Sequence, residues 1–179
     1  YNCEIIVDPK KLNNVDKIIL PGVGSFKKAT INLKKQNLFD SLKDFILIKK
    51  KPFLGICLGM QLLYDHSTED GGADGLGVIS GNVKQLIPTK DFKVPNVGWR
   101  EIEIIKQGNL INQLDEKPIF YFVHKYACYS ENKVNTIAEL NYTNKFDCII
   151  EKKNIFATQF HPEKSQKNGL KVLNNFLKI

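Results

Sequence analysis

Arg100 is the only arginine among 26 basic residues, and the lysines are scattered along the chain instead of gathered with aromatic side chains into one stripe. A phosphate-binding surface needs the opposite arrangement, so the net charge of +7 does not mark a nucleic-acid-binding protein. The four cysteines, at positions 3, 57, 128 and 148, include no C-x-x-C pair and have no histidine-rich neighbourhood. That spacing suggests neither a zinc site nor a disulfide framework, and no metal ligand set is expected. The apolar runs are a handful of residues long, too short to cross a bilayer, and no charged-then-apolar leader opens the chain. The expectation is an intracellular, cytoplasmic protein with no membrane contact. An internal repeat, a low-complexity linker and a complete dinucleotide fingerprint are missing too. Gly22-Val23-Gly24 starts the G-x-G-x-x-G series, but Lys27 stands where the third glycine belongs.

What is present is an ordinary globular composition, 42% apolar and 25% charged, in 179 residues that suit a single domain over 1–179. Apolar alternation predicts strands near residues 3–7 and 17–20, the second stopped by Pro21-Gly22. A helical period runs from residue 26 to about 48, interrupted near Asn37, with Leu33, Leu38, Leu42, Phe45 and Ile46 on its buried face. Residues 52–56 read as a short strand, 58 to about 66 as a helix and 70–77 as a loop. Strands follow around 78–86, 100–105, 119–123, 136–140, 146–151 and 155–159, the last two joined in a hairpin through Lys152, Lys153 and Asn154. A closing helix starts near Ser165, which can cap it, with Leu170, Leu173, Phe176 and Leu177 on one face. Strands and helices alternate early and strands dominate later, the pattern of an α/β domain with a mixed sheet flanked by helices.

The stretch "PFLGICLGMQLLYD" sets Cys57 between Gly55 and Gly59, where the predicted strand meets the predicted helix. A free cysteine is commonly inert packing material, and Cys3, Cys128 and Cys148, in apolar or strand-like surroundings, read that way. The Gly-x-Cys-x-Gly run has the spacing of a nucleophile elbow, in which a tight turn pushes the side chain into the open. Gly55 and Gly59 allow the sharp turn and the close packing of helix on strand. The helix start at Leu58 points free N–H groups at the sulfur, which favours the thiolate. Such a nucleophile needs a base. His66 reads as a surface residue on a helix face, whereas His161 stands in "ATQFHPEKS", where a strand ends and Pro162 stops the ladder. Glu163 is placed to orient the His161 ring. Alone, His161 reads first as a loop histidine beside a solvated glutamate; with the elbow, the three residues supply nucleophile, base and orienter. The backbone of Gly22, Val23 and Gly24 in "LPGVGSF", with Leu58, is the candidate oxyanion hole.

These stretches, "LPGVGSF", "KPFLGICLGMQLL", "VPNVGWRE", "FYFVHKY" and "ATQFHPEKS", occur in an order that resembles the class I (triad) glutamine amidotransferases from about residue 16 to the last. Within that family the chain is most similar to the branch of glutaminase subunits of imidazole glycerol phosphate synthase, from histidine biosynthesis. The elbow and the His-x-Glu stretch belong to the whole class; the Gly-Trp and "FVH" stretches are more specific to the branch. The resemblance implies a flavodoxin-like mixed sheet flanked by helices and hydrolysis of L-glutamine to glutamate and ammonia, without a cofactor. Cys57 would attack the side-chain amide, His161 would carry the proton to the leaving ammonia, Glu163 would orient His161, and water would cleave the glutamyl thioester. Gly24, Gly59, Gln61 and Glu69 match substrate-binding positions, next to Lys125 and Tyr126. A (β/α)8-barrel cyclase partner would receive the ammonia through an internal channel in a heterodimer, facing Asn96, Gly98, Trp99, Tyr121, His124 and Lys164.

The family opens on a strand followed by Asp-Tyr-Gly-x-Gly-Asn, which does not occur before Tyr1, so the family's first strand is expected to lie outside this chain. Lys125 stands where the family usually has serine, beside the glutamine site. Two other readings share the chemistry. One is a related subunit supplying ammonia for amidation of a surface-polysaccharide sugar; the other is a stand-alone cysteine hydrolase of γ-glutamyl compounds.

Overall fold

Asn37 explains the interrupted helical period at residues 26–48. The computed structural model, which describes residues 2–179, places it in the left-handed region (φ 56°), between α1 (Phe26–Lys35) and α2 (Leu38–Leu47). Ser25 starts α1 by accepting a hydrogen bond from the Lys28 N–H. Leu38, Leu42, Phe45 and Ile46 form the buried stripe of α2.

The chain then alternates between short strands and turns. β1 (Ile18–Leu20) pairs in parallel with β2 (Phe53–Ile56), which leads into the one-turn helix α3 (Leu58–Gln61). β3 (Tyr64–Ser67), β4 (Ala73–Asp74) and β5 (Ile79–Gln85) follow, then β6 (Asn96–Glu101), β7 (Glu103–Ile104), β8 (Ile119–His124) and β9 (Tyr126–Ser130). β10 (Thr136–Asn141), β11 (Lys145–Lys152) and β12 (Ile155–Thr158) precede the closing helix α4 (Gln166–Lys178). The main sheet runs β1-β2-β12-β11-β9-β5-β3-β4, with β10 and β7 branching from β11; β6 and β8 form a separate antiparallel ribbon. β2 lies between β1 and β12, parallel to both, and all four of its residues are buried. That burial on both faces is why "FLGI" reads as a continuous apolar run and not an alternation. The two apolar clusters contain α1 and α2 residues on one side (Phe26, Phe45) and α4 residues on the other (Val172, Phe176). The mixed sheet flanked by helices is therefore the observed architecture.

Several local expectations give way to pairing. Residues 3–7 alternate like a strand but belong to no strand, and Ile5 is 92% exposed. Cys3 is exposed with them and is not core material. A strand exists only where a ladder partner does, and none of the described residues supplies one there. The helix expected over 58–66 stops at Gln61, because Tyr64, His66 and Ser67 pair with Ile79, Asn82 and Val83 of β5. His66 is consequently a strand residue, with its ring against Asp74 at 2.8 Å. β9, absent from the sequence expectation, fills the gap between β5 and β11. Ser165 precedes α4 but makes no capping bond; its hydroxyl donates to the His161 carbonyl (2.6 Å) and accepts from the Tyr121 N–H (2.9 Å). Leu170 is exposed, and Gly169, Val172 and Phe176 form the buried stripe. No helix among the described residues is long and apolar enough to cross a membrane.

Candidate active site

Two parallel neighbours end side by side. The register pairs Ile56 of β2 with Thr158 of β12, and the Cys57 N–H donates to the Thr158 carbonyl at 2.7 Å. The residues that follow each strand, Cys57 on one and Gln159 to Glu163 on the other, therefore emerge at the same sheet edge, where α/β proteins gather their sites.

Cys57 occupies φ 53°, ψ −105°, a conformation that L residues rarely adopt. Strain of this kind costs on the order of 1–3 kcal/mol and persists only when the surroundings enforce it. The two glycines do so by allowing contact no Cβ could survive. A Cβ on Gly59 would lie 1.8 Å from the Leu20 carbonyl oxygen, and one on Gly55 2.6 Å from that of Gly59. Gly59 thus packs α3 against β1, and this packing is its visible role.

The expected thiolate does not follow from the elbow alone. Burial pushes the Cys57 thiol up to about 11, against smaller opposing effects of the Leu58 N–H, Gln159 and Lys164, while the Glu163 charge adds to the rise. α3 has a single turn, so its dipole is too small to outweigh desolvation. The Leu58 N–H also points at the Gly22 carbonyl, 3.4 Å away, so one of the expected oxyanion donors faces an acceptor from its own candidate hole. Val23 and Gly24 line the neighbouring cavity; Gly22 contributes that carbonyl.

His161 is buried, and its Nδ1 lies 2.7 Å from a carboxylate oxygen of Glu163. A carboxylate only accepts, so Nδ1 carries a proton, and in the neutral ring the lone pair is on Nε2. That Nε2 is buried and has no hydrogen-bond partner among the described residues. Buried polar atoms are nearly always paired, so an unpaired ring nitrogen is a specific sign of use.

The cavity beside Cys57 measures about 490 Å³ and also takes in Glu69, Lys125 and Tyr126. Glu69 reaches it from the turn after β3 and fixes itself by accepting the Phe26 N–H at 2.7 Å. Gln61 lines the wall, its Nε2 donating to the Tyr126 carbonyl (3.0 Å) and to Gln159 Oε1 (3.2 Å). Among the described residues no cluster of three or more His, Cys, Asp or Glu side chains is arranged to hold a metal.

The residues expected to face a partner divide in two. Trp99 and Tyr121 meet edge to face at 5.8 Å across the β6–β8 ribbon, Lys164 lies over the Tyr121 ring, and Gly98 sits beside Trp99. Trp99 is 42% exposed, with Val97 and Ile119 on the same outer face. Asn96 and His124 point inward instead: both are buried, and Asn96 Nδ2 donates to His124 Nε2 at 3.0 Å. His124 Nδ1 donates to the Tyr126 carbonyl at 2.8 Å, and burial pulls the ring down to about 4, which keeps it neutral.

Gln159 escaped the sequence reading. Its signal was a polar residue at the end of an apolar strand, two positions before His161.

The family described as glutamine amidotransferase class-I matches residues 1–179. Among relatives, the chain is 46% identical to "Imidazole glycerol phosphate synthase subunit HisH 1" of Campylobacter jejuni (strain RM1221), over 98% of this chain and 87% of the relative. It is 42% identical to "Imidazole glycerol phosphate synthase subunit HisH" of Pelagibacter ubique (strain HTCC1062), over 99% and 86%. The fold is shared with a solved glutamine amidotransferase (TM-score 0.73, 16% identity, 97% of this chain and 83% of the other). It is shared also with the glutaminase domain of Trypanosoma brucei CTPS with bound acivicin (TM-score 0.64, 15% identity, 95% and 74%). With a family match along the whole sequence and near-complete alignment to relatives above 40% identity, the chain belongs to the class-I glutamine amidotransferases.

Proposed function

We propose that this chain is the glutaminase subunit of an imidazole glycerol phosphate synthase, hydrolysing L-glutamine to glutamate and ammonia and delivering the ammonia to a (β/α)8-barrel cyclase in histidine biosynthesis. The observation that carries the reading is the buried, unpartnered Nε2 of His161 on the turn after β12, whose parallel neighbour β2 ends at the strained Cys57, in a chain so similar to HisH subunits. His161 Nε2 takes the thiol proton as Cys57 attacks the amide carbon. The C–N bond then breaks, the same nitrogen returns the proton to ammonia, and a glutamyl thioester is left. Water, deprotonated by Nε2, cleaves the thioester to glutamate and restores the thiol. Glu163 holds the tautomer in which Nε2 is the base. Burial pushes the thiol up to about 11, so the resting form from which His161 takes the proton is the neutral thiol.

Glutamine is an amino acid at one end and an amide at the other, and the cavity offers a partner for each. Glu69 suits the α-ammonium group, Lys125 the α-carboxylate, and Gln61 and Tyr126 complete the wall. Gly24 and Val23 with Leu58 supply the oxyanion donors once the Gly22 carbonyl turns away from the Leu58 N–H. The exposed Trp99–Tyr121–Lys164 face suits the cyclase contact, with an aromatic anchor and a rim cation.

A glutamine-like chloroketone tests the chemistry: it should label Cys57 stoichiometrically, and excess glutamine should protect it. Labelling of another residue, or none in the partner-bound protein, would sink the assignment. Copurification of a barrel cyclase, with glutaminase turnover rising when that cyclase and its substrate are added, tests the pathway. Recovery of a sugar-amidating synthase in its place would move the ammonia to the other branch.

A further inference from the structure

We propose that Gln159 is a catalytic hydrogen-bond donor to the Cys57 sulfur, with its amide locked in the donating orientation by Gln61 and the Tyr126 carbonyl. This rests on reading Cys57 as the nucleophile. The Gln159 side chain is fully buried, with its Nε2 3.7 Å from Cys57 Sγ. An amide has two ends that differ only in their hydrogens, so which end faces the sulfur must come from the surroundings. Here they leave no choice. The Tyr126 carbonyl can only accept, and it takes a hydrogen bond from His124 Nδ1 as well as from Gln61. Gln61 must therefore turn its Nε2 inward, and the second hydrogen of that nitrogen meets Gln159 Oε1. The Cys128 thiol, 3.8 Å from the same oxygen, donates to it too. With two donors on Oε1, the Gln159 Nε2 is turned to Cys57.

An amide does not titrate in the working range, so this donor keeps its polarity at every pH. A donor aimed at sulfur favours the thiolate over the thiol, and its effect is largest where burial has removed water. The charged and titratable groups that act on the sulfur or share its cavity are Glu163 and Lys164 on the turn after β12, which also carries His161, Cys128 on β9, and Glu69, His124, Lys125 and Tyr126 around the cavity. Substitution of Gln159 leaves all of them in place.

The test is the rate of Cys57 alkylation by iodoacetamide as a function of pH, read peptide by peptide by mass spectrometry on the full chain. Gln159→Met keeps the length and removes the donor. Its alkylation inflection should move upward by about one pH unit, which is about tenfold less thiolate at any pH below it. Gln61→Met is the second variant, for the event that Gln159→Met does not fold. It frees Gln159 to turn its oxygen to the sulfur and should shift the inflection in the same direction by a smaller amount. An inflection unmoved in whichever variant retains the native circular dichroism spectrum overturns the proposal. Alkylation needs neither glutamine nor the cyclase, so a failure of the glutaminase reading registers separately, as absent turnover with an intact alkylation shift.

Discussion

Asp147 and His161 are both ionisable, both buried, and about as differently furnished as two such residues can be. The Asp147 carboxylate accepts from the Ser130 N–H (2.7 Å), the Tyr64 hydroxyl (3.2 Å), the Thr136 hydroxyl (2.9 Å) and the Lys133 ammonium (2.7 Å). Lys133 also bridges to Glu139 at 2.8 Å. This knot ties β3, β9, β10 and β11 together with no acceptor to spare. His161 has one nitrogen satisfied by Glu163 and the other buried with no partner among the described residues. Buried polarity that serves the fold is closed on itself; buried polarity that serves chemistry keeps one valence for a guest.

Substitutions at the two ends should separate these roles. Cys57→Ser should lower glutamine hydrolysis by about 10⁴-fold while the urea midpoint stays within error, since a hydroxyl replaces a thiol of similar shape. Asp147→Ala should do the reverse. It leaves the Ser130, Tyr64 and Thr136 donors without their carboxylate, Lys133 keeping Glu139, so we expect a loss of about 3–5 kcal/mol in urea unfolding, with turnover per folded molecule retained. A variant of Asp147 that unfolds normally but cannot turn over glutamine would show that the distinction is wrong.

A third comparison sits between the two. His124 is closed like Asp147, with both ring nitrogens bonded, but lines the cavity beside Cys57. Its folded pKa of about 4 lies below the ordinary 6.5, so the unfolded chain binds the proton more readily between these values. Stability is therefore full above about pH 6.5 and declines as the pH falls toward 4, by about 3 kcal/mol in all. Urea melts from pH 7 to 4 should show that slope, and His124→Gln should flatten it. The smallest effect is expected at Ser165, whose hydroxyl joins the His161 carbonyl to the β8 backbone. Ser165→Ala should cost about 1–2 kcal/mol in the same melts and modestly raise the KM for glutamine.

The elements that were legible in the sequence share a property: their pattern is enforced locally. The helical stripes of residues 26–47, the apolar run at 53–56 and the hairpin through 152–154 carry their own signal. The errors arose where a distant partner decides. Residues 3–7 have strand composition without a ladder, β3 looked like the end of a helix until β5 claimed it, and β9 was invisible without its neighbours. Among site residues, Cys57, His161 and Glu163 carried spacing signals, and Gln159 carried almost none, because a lone polar residue on a strand has many explanations.

By itself the sequence determined the alternation of elements, the turn at Cys57 and the short-range His161–Glu163 pair, since glycine placement, apolar period and a two-residue separation act within a few bonds. The tertiary structure decided the rest. Parallel pairing of β2 with β12 brought Cys57 to Gln159 across 102 residues, burial turned the thiol weakly acidic, and the β6–β8 ribbon sent Asn96 and His124 inward while leaving Trp99 outside. Charge state and side-chain direction depend on what surrounds a residue, and those surroundings are assembled only when distant strands meet.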